Sequence, residues 1–527
     1  MSKPIVLHPL LFAILPVLFL YSHNVSEVVP EDLLAPLAAA LVAAALLWWL
    51  LGVIMRDRIK AGLVASLFWV WFFSFGHFYH LLPPASPQGF AIPWGVVFAV
   101  GYTALLAIGV VVLAQARRDT RTLSSTLNVA AVALVAWNAV AIGAFETRRA
   151  LADRRAWQPA ALGQTHWARP AAPPNIYYII LDGYGRQDVL RDMYGFDNRE
   201  FLDYLVRKGF RVARNARANY CQTTLSLASS LNLTYLDDAT SGVTFARDLR
   251  PITDLLKTNR LSAFLHEHGY RTCAFATGYW QAELRSADIY IDKISGMSGF
   301  YGLVFETTPL PALLAPFSDR SRLSAAAVHA QRILYILDHL ADTVKLKPPM
   351  FVFAHIIAPH PPFVFDRSGK IIASPTSFTL GDGTDLGGTR EQYVASYKEQ
   401  LLFVNREMRA AIDRILAGAR RPTVIILQSD HGPGSRLDWK SVEKTDARER
   451  LANLIAYYFP GEKGAYTDED ISPVNLFRVV LNRYFGAKLE LLPNESYYST
   501  WDEPYHYIRV TDKVKVNAGN ARAHPPG

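Results

Sequence analysis

From Ala61 to Ala116 the chain carries no Asp, Glu, Lys or Arg. Charged residues make up about a quarter of ordinary soluble proteins, so a gap of this length points to lipid as the solvent. It lies within a longer pattern of five apolar stretches, at about 8–22, 33–55, 62–83, 91–115 and 124–145, and every charge before residue 147 lies outside them. Most reach the roughly 20 residues that cross about 30 Å of hydrocarbon. The first is short and alone resembles a signal peptide. It lacks a small-residue cleavage site and has only Lys3 ahead of it, so it is expected to be a retained span.

Loop charges predict the orientation. The breaks after spans two and four carry Arg56, Arg58, Lys60 and then Arg117, Arg118, Arg121. The break after span one carries Glu27, Glu31 and Asp32, and the break after span three carries no charge. Positive loops stay in the cytoplasm, so the N-terminus is expected inside and everything after about residue 146 outside. Arg148, Arg149, Arg154 and Arg155 run against this rule, and a short basic amphipathic helix on the membrane surface accounts for them. His77 and His80 fall in span three, where a polar group needs a partner, and a hydrogen bond to a neighbouring helix is expected.

Beyond the spans the composition changes. The whole chain of 527 residues has 54 Lys+Arg against 46 Asp+Glu, a net charge of +8 with no long basic run, which gives no case for nucleic-acid binding. Two cysteines exclude a disulfide scaffold. The expected organisation is a transmembrane domain over 1–146, a juxtamembrane helix and Pro-rich linker over 147–175, an α/β domain over 176–510 and a frayed tail over 511–527. In the third part, short apolar runs alternate with helical stretches, which favours a mostly parallel central sheet covered on both faces. The clearest strands are Ile176–Leu181, Thr272–Ala276, Met350–His355 and Thr423–Gln428. The Gly/Ser/Thr-rich segment Arg367–Arg390 is expected to be a long surface loop.

Three of these strands run into groups of one chemical kind: Asp182-Gly183, Ser429-Asp430-His431-Gly432 and Pro359-His360-Pro361-Pro362. Ligands bind at the carboxyl ends of parallel strands, so these residues should converge. A single Asp at a strand end is most simply a helix cap, but two carboxylates and an imidazole together suit a divalent metal, zinc or manganese, with magnesium or calcium as further options. A fourth element, Tyr220-Cys-Gln-Thr-Thr-Leu-Ser, reads as a strand end turning into a helix near Thr223. Such a turn either caps itself or presents a hydroxyl at an anion-binding helix N-terminus. Beside a divalent metal that hydroxyl can ionise and attack phosphorus or sulfur.

The order Asp182-Gly183, Thr-x-x-Ser, His-x-x-x-x-His-x-Pro and Ser-Asp-His-Gly resembles the sulfatase branch of the alkaline phosphatase superfamily over roughly 175–510. The five-span layout resembles lipoteichoic acid synthases and lipid A phosphoethanolamine transferases. The resemblance implies a five-helix transmembrane domain followed by an α/β alkaline-phosphatase-like domain. It implies metal ligands at Asp182, Thr223, Asp430 and His431, with Thr223 as nucleophile because Ser226 stands three residues on, and Thr224 as the second choice. By the same resemblance His355 and His360 contact the transferred group or leaving oxygen. Trp280 and Arg285 partly match the Trp and Arg of a headgroup site, although packing and a solvated charge explain them equally.

The chain also departs from the family. Cys221-Gln-Thr-Thr-Leu lacks the Pro and Arg with which sulfatases mature a formylglycine, and Gly183 stands where paired Asp is usual. Cys221 and Cys273 either pair in an oxidising compartment or remain buried thiols. The implied activity is transfer or hydrolysis of a phosphoryl-headgroup ester of a membrane lipid or envelope glycan through a covalent threonine. Competing readings are a sulfatase or phosphodiesterase acting on a soluble ester, or a membrane protein that only binds a glycan or headgroup.

Overall fold

The computed structural model describes residues 5–25, 28, 30–79, 81, 94–116, 119–153, 167, 170, 172–240, 248–292, 300–314, 325–372 and 379–514. Most of the Pro-rich linker, His80, Arg117, Arg118, Arg154, Arg155 and the tail beyond 514 lie outside these residues.

Five N-terminal helices form: α1 (His8–His23), α2 (Glu31–Met55), α3 (Arg58–Tyr79), α4 (Trp94–Gln115) and α5 (Arg121–Asp153). Four are long and apolar enough to cross a membrane, whereas α1 has 16 residues and falls short of that length. Polar contacts hold α1 in place. His8 is buried, with Nδ1 2.6 Å from Ser66 Oγ on α3 and Nε2 3.0 Å from Ser124 Oγ on α5. α5 extends unbroken to Asp153, so Arg148 continues the fifth apolar helix instead of opening a separate surface helix. His77 is exposed near the end of α3 and has no hydrogen bond to another helix among the described residues.

The chain divides into two compact units, one of residues 1–151 and 296–324, the other of residues 152–295 and 325–527. The second unit is built on an eight-stranded sheet. Its strands are β1 (Asn175–Leu181), β2 (Phe210–Ala213), β3 (Arg271–Phe275), β4 (Ile289–Ile291), β5 (Met350–Ile356), β6 (Thr423–Gln428), β7 (Ile455–Tyr458) and β8 (Ala465–Thr467), in the order β4-β3-β5-β1-β6-β7-β2-β8. The five strands from β4 to β6 run parallel, and β7 pairs antiparallel with both β6 and β2.

The two-residue period of a strand explains the layering. Tyr177, Ile179 and Leu181 of β1 enter one apolar core, shared with the helix Arg390–Gly418. Ile176, Tyr178 and Ile180 enter the other, shared with Thr223–Asn232 and Pro473–Phe485. All seven residues of β1 are buried, as a strand covered on both faces requires. The four strands read from the sequence are thus the four central neighbours β3, β5, β1 and β6, each within one residue of its expected ends.

Candidate functional site

The carboxyl ends of β5, β1 and β6 lie side by side, with Ile180 opposite both His355 and Gln428. The Asp182 N–H donates to the Ile356 carbonyl (3.0 Å), and the His360 N–H donates to the Asp182 carbonyl (3.0 Å), which locks the two strand ends together. Gly183 then turns with φ +71°, a conformation that side chains rarely adopt. A Cβ there would stand 3.3 Å from His360 Cα, so a second Asp after Asp182 would crowd the histidine.

The helix Thr223–Asn232 starts after Gln222, whose backbone is extended and whose side chain makes no cap. Gln222 Nε2 is engaged instead by Ser499 Oγ (3.0 Å) and the Thr500 carbonyl (3.1 Å). The first-turn N–H groups therefore have no side-chain cap, a condition that favours anion binding. Successive helical residues point about 100° apart, and the two candidate hydroxyls diverge accordingly. Thr223 Oγ1 lies 3.1 Å from His431 Nε2, whereas Thr224 Oγ1 donates to Gln281 Oε1 (2.9 Å). One turn on, Ser226 Oγ donates to the Asp430 carbonyl (2.7 Å) and fixes the helix against the end of β6.

His431 is buried, and its Nδ1 lies 2.9 Å from the Gly432 carbonyl. That carbonyl can only accept, so the ring proton sits on Nδ1 and the Nε2 lone pair faces Thr223. The guanidinium of Arg450, 3.0 Å from Nε2, requires the same tautomer. Burial, followed by the charge of Arg450, holds the His431 pKa below its usual value. Around Nε2 stand Asp430 Oδ2 at 3.2 Å and Asp182 Oδ1 at 3.6 Å. Both oxygens are buried and have no hydrogen-bond partner among the described residues. Two orphaned carboxylate oxygens, a lone pair and a hydroxyl around one point are costly unless a cation joins them. The donor chemistry therefore fits a divalent metal. Ligand atoms of Asp182, His360 and His431 lie within 4.8 Å of one another, as do those of Asp182, His355 and Asp430.

His355 is fully buried, with Nε2 2.9 Å from Asp182 Oδ2, so it orients the carboxylate whose other oxygen is orphaned. Burial alone would raise the Asp182 pKa, but His360, the His355 hydrogen bond and His431 outweigh it and hold the carboxyl ionised well below the usual range. His360 Nδ1 donates to the Pro361 carbonyl (2.5 Å), and its Nε2 lies 3.7 Å from Asp382.

Asp382 and Arg450 are absent from the sequence reading. The segment Arg367–Arg390 is not simply a surface excursion, because Asp382 within it is only 2% exposed. Asp382 accepts from Arg450 Nη1 (2.6 Å) and from the Tyr393 hydroxyl (2.9 Å). Arg450 Nε donates in turn to the Cys221 carbonyl (2.9 Å), two residues before Thr223. The pair thus ties the loop to the turn that presents the threonine. Gly381-Asp382-Gly383 is a turn signal that could have drawn attention to Asp382, but nothing local marks Arg450.

The remaining expected residues are engaged elsewhere. Trp280 lies on a short 3₁₀ turn with Lys257 Nζ 5.6 Å from its ring, and Arg285 pairs with Glu283 (2.8 Å). Between them, Gln281 is the residue that meets Thr224. Cys221 and Cys273 are both buried free thiols.

A family model described as Sulfatase matches residues 174–486. No curated protein matches by sequence. Among solved structures, the C-terminal periplasmic domain of EcEptC from Escherichia coli in complex with Zn aligns over 67% of this chain and 96% of its own, with 12% identity and a TM-score of 0.43. The integral membrane protein lipooligosaccharide phosphoethanolamine transferase A (EptA) from Neisseria meningitidis aligns over 90% and 96%, with 12% identity and a TM-score of 0.38. Phosphonate monoester hydrolase of Agrobacterium radiobacter aligns over 62% and 80%, with 13% identity and a TM-score of 0.39.

Proposed function

The chain belongs to the sulfatase family, and from that premise we propose that it is a membrane-anchored enzyme that transfers or hydrolyses a phosphoryl-headgroup ester through Thr223. The observation that carries the reading is the Thr223 hydroxyl at an uncapped helix N-terminus, 3.1 Å from the Nε2 lone pair of His431 and beside two orphaned carboxylate oxygens. Asp182, Thr223, Asp430 and His431 would hold a divalent metal, which supplies charge stabilisation and favours ionisation of the hydroxyl.

The chain's own groups then divide the work. Thr223 Oγ1 attacks phosphorus, an Oγ1–P bond forms, and the bond to the leaving alcohol breaks. First-turn N–H groups receive the phosphoryl oxygens. His360, at the carboxyl end of β5, is placed to serve the leaving oxygen, and His355 fixes Asp182. Water or an acceptor hydroxyl then attacks the phosphothreonine and frees Thr223. Trp280, on the turn that includes Gln281, and Arg285, three residues beyond it, remain candidates for headgroup contacts. A formylglycine route through Cys221 is disfavoured, because Cys221-Gln-Thr-Thr-Leu lacks the Pro and Arg of that maturation pattern.

The topology belongs to the same reading: five crossings with the N-terminus inside, and the domain over 176–510 on the periplasmic face of the inner membrane. A lipid donor or envelope glycan suits an enzyme anchored there. Intact-mass analysis of protein purified from its own membranes tests the covalent step. A phosphoryl-headgroup adduct is expected on peptide 221–232 and is lost in Thr223→Ala. An adduct that survives Thr223→Ala but disappears in Thr224→Ala moves the nucleophile by one residue. Full turnover in the double variant removes the covalent mechanism.

A further inference from the structure

The segment Gly296–Ser324 lies in sequence between β4 and the helix Ala325–His339, inside the sulfatase match, yet it belongs to the compact unit formed by α1–α5. Its described part, 300–314, forms two short helices, Phe300–Glu306 and Leu310–Leu314, and Glu306 is its single charged residue. One side is anchored. Phe300 is buried, its ring edge-on to Tyr21 of α1 at 5.9 Å, and Val304 packs on the same cluster. The Gly76 N–H of α3 donates to the Thr307 carbonyl (2.9 Å). A Cβ at Gly76 would stand 1.9 Å from the Glu306 carbonyl oxygen, so only glycine permits this approach. Tyr21 and Gly76 both lie near the C-terminal ends of their helices, the ends that the loop charges place outside.

The other side is apolar and uncovered: Leu303, Leu310, Leu313 and Leu314 are 36–58% exposed. Exposed apolar side chains are also the rule on α2, α4 and α5 of the same unit, where Leu46, Leu105 and Val140 are 60–69% exposed. We propose that 300–314 is an interfacial anchor whose leucine face rests in the outer-leaflet lipid, giving the catalytic chain a second attachment to the membrane besides the linker after α5. The proposal rests on the reading of α1–α5 as membrane helices. Its occupant is the lipid surface, because a nearly uncharged apolar face beside lipid-facing helices is the pattern of an interfacial segment.

The test uses the full chain in lipid nanodiscs, with a fluorophore on one introduced cysteine, Leu313→Cys, the native thiols being buried. Leu46→Cys on α2 and Leu491→Cys on the other unit are the lipid and water references. At 313, most of the emission is expected to be lost when nitroxide-bearing lipid is added, with little loss to aqueous iodide. Adding Gly76→Val should release the segment and shift the label at 313 towards iodide quenching while leaving the label at 46 unchanged. A label at 313 that behaves like the one at 491 while 46 stays in lipid overturns the anchor and leaves the membrane reading standing. Protection from both quenchers overturns it in favour of a protein partner. Iodide quenching at 46 overturns the membrane reading and the anchor with it.

Discussion

The helix α4 and the strand β1 are both largely apolar, yet α4 buries none of its described side chains and β1 buries all seven of its residues. The difference is one of solvent. A strand in a layered domain hides alternate side chains in two protein cores, whereas a helix with this composition must find lipid. The polar contacts differ in kind as well. The membrane unit ties His8 to Ser66 and Ser124 through neutral hydrogen bonds, while the catalytic unit buries charge, with Asp382 against Arg450 and Asp188 between Arg186 and Arg448. Buried ionic groups should therefore govern function and acid stability in the second unit and have little effect in the first.

The largest expected effect is at Thr223. Thr223→Ala should lower turnover by on the order of 10³-fold or more, as loss of a nucleophile does, while Thr224→Ala stays near wild type because its hydroxyl faces Gln281. Steady-state rates of the two variants with a phosphodiester substrate decide the matter. Equal losses would erase the contrast between the hydroxyls. Next, Asp430→Asn should strip the metal along with activity, since an amide is a poorer ligand of the same shape. Bound metal measured per chain, with circular dichroism as the check on folding, reads this directly. Metal content unchanged in both Asp430→Asn and His431→Ala would refute the site.

Arg450→Met leaves Asp382 as an uncompensated buried charge and frees the Cys221 carbonyl, so a loss of about 3–5 kcal/mol is expected in the catalytic unit. Unfolding followed separately in the two units should show the membrane helices unaffected. A smaller effect concerns acid. Burial would raise the Asp188 pKa, but Arg186 and Arg448 outweigh it and bring it from 3.8 to about 2. Its folded pKa is depressed, so its contribution of about 2 kcal/mol is complete above about pH 4 and lost as pH falls towards 2. Stability of Asp188→Asn measured against pH should therefore vary less across that window than wild type. The smallest effect is in the membrane unit, where His8→Ala should cost about 1 kcal/mol, the usual size of a hydrogen bond between membrane helices. Denaturation in detergent micelles measures it. A loss as large as that of Arg450→Met would break the contrast between the two units.

The sequence by itself determined whatever depends on neighbours along the chain. Run length and loop charge marked the apolar helices, alternation marked the central strands, and Asp182, Asp430 and His431 stood at strand ends that a parallel sheet brings together. Thr223 and Thr224 are both legible as a helix start, and only the fold sends their hydroxyls to different partners, His431 and Gln281. Contacts between residues remote in sequence were decided only by the tertiary structure. Arg450 meets Asp382 across 68 positions and His355 meets Asp182 across 173, and no local pattern records either pairing. The return of 300–314 to the membrane unit is of the same kind. Nothing local distinguishes its leucines from those of a core segment, because hydrophobicity specifies that a side chain avoids water and not which apolar phase receives it.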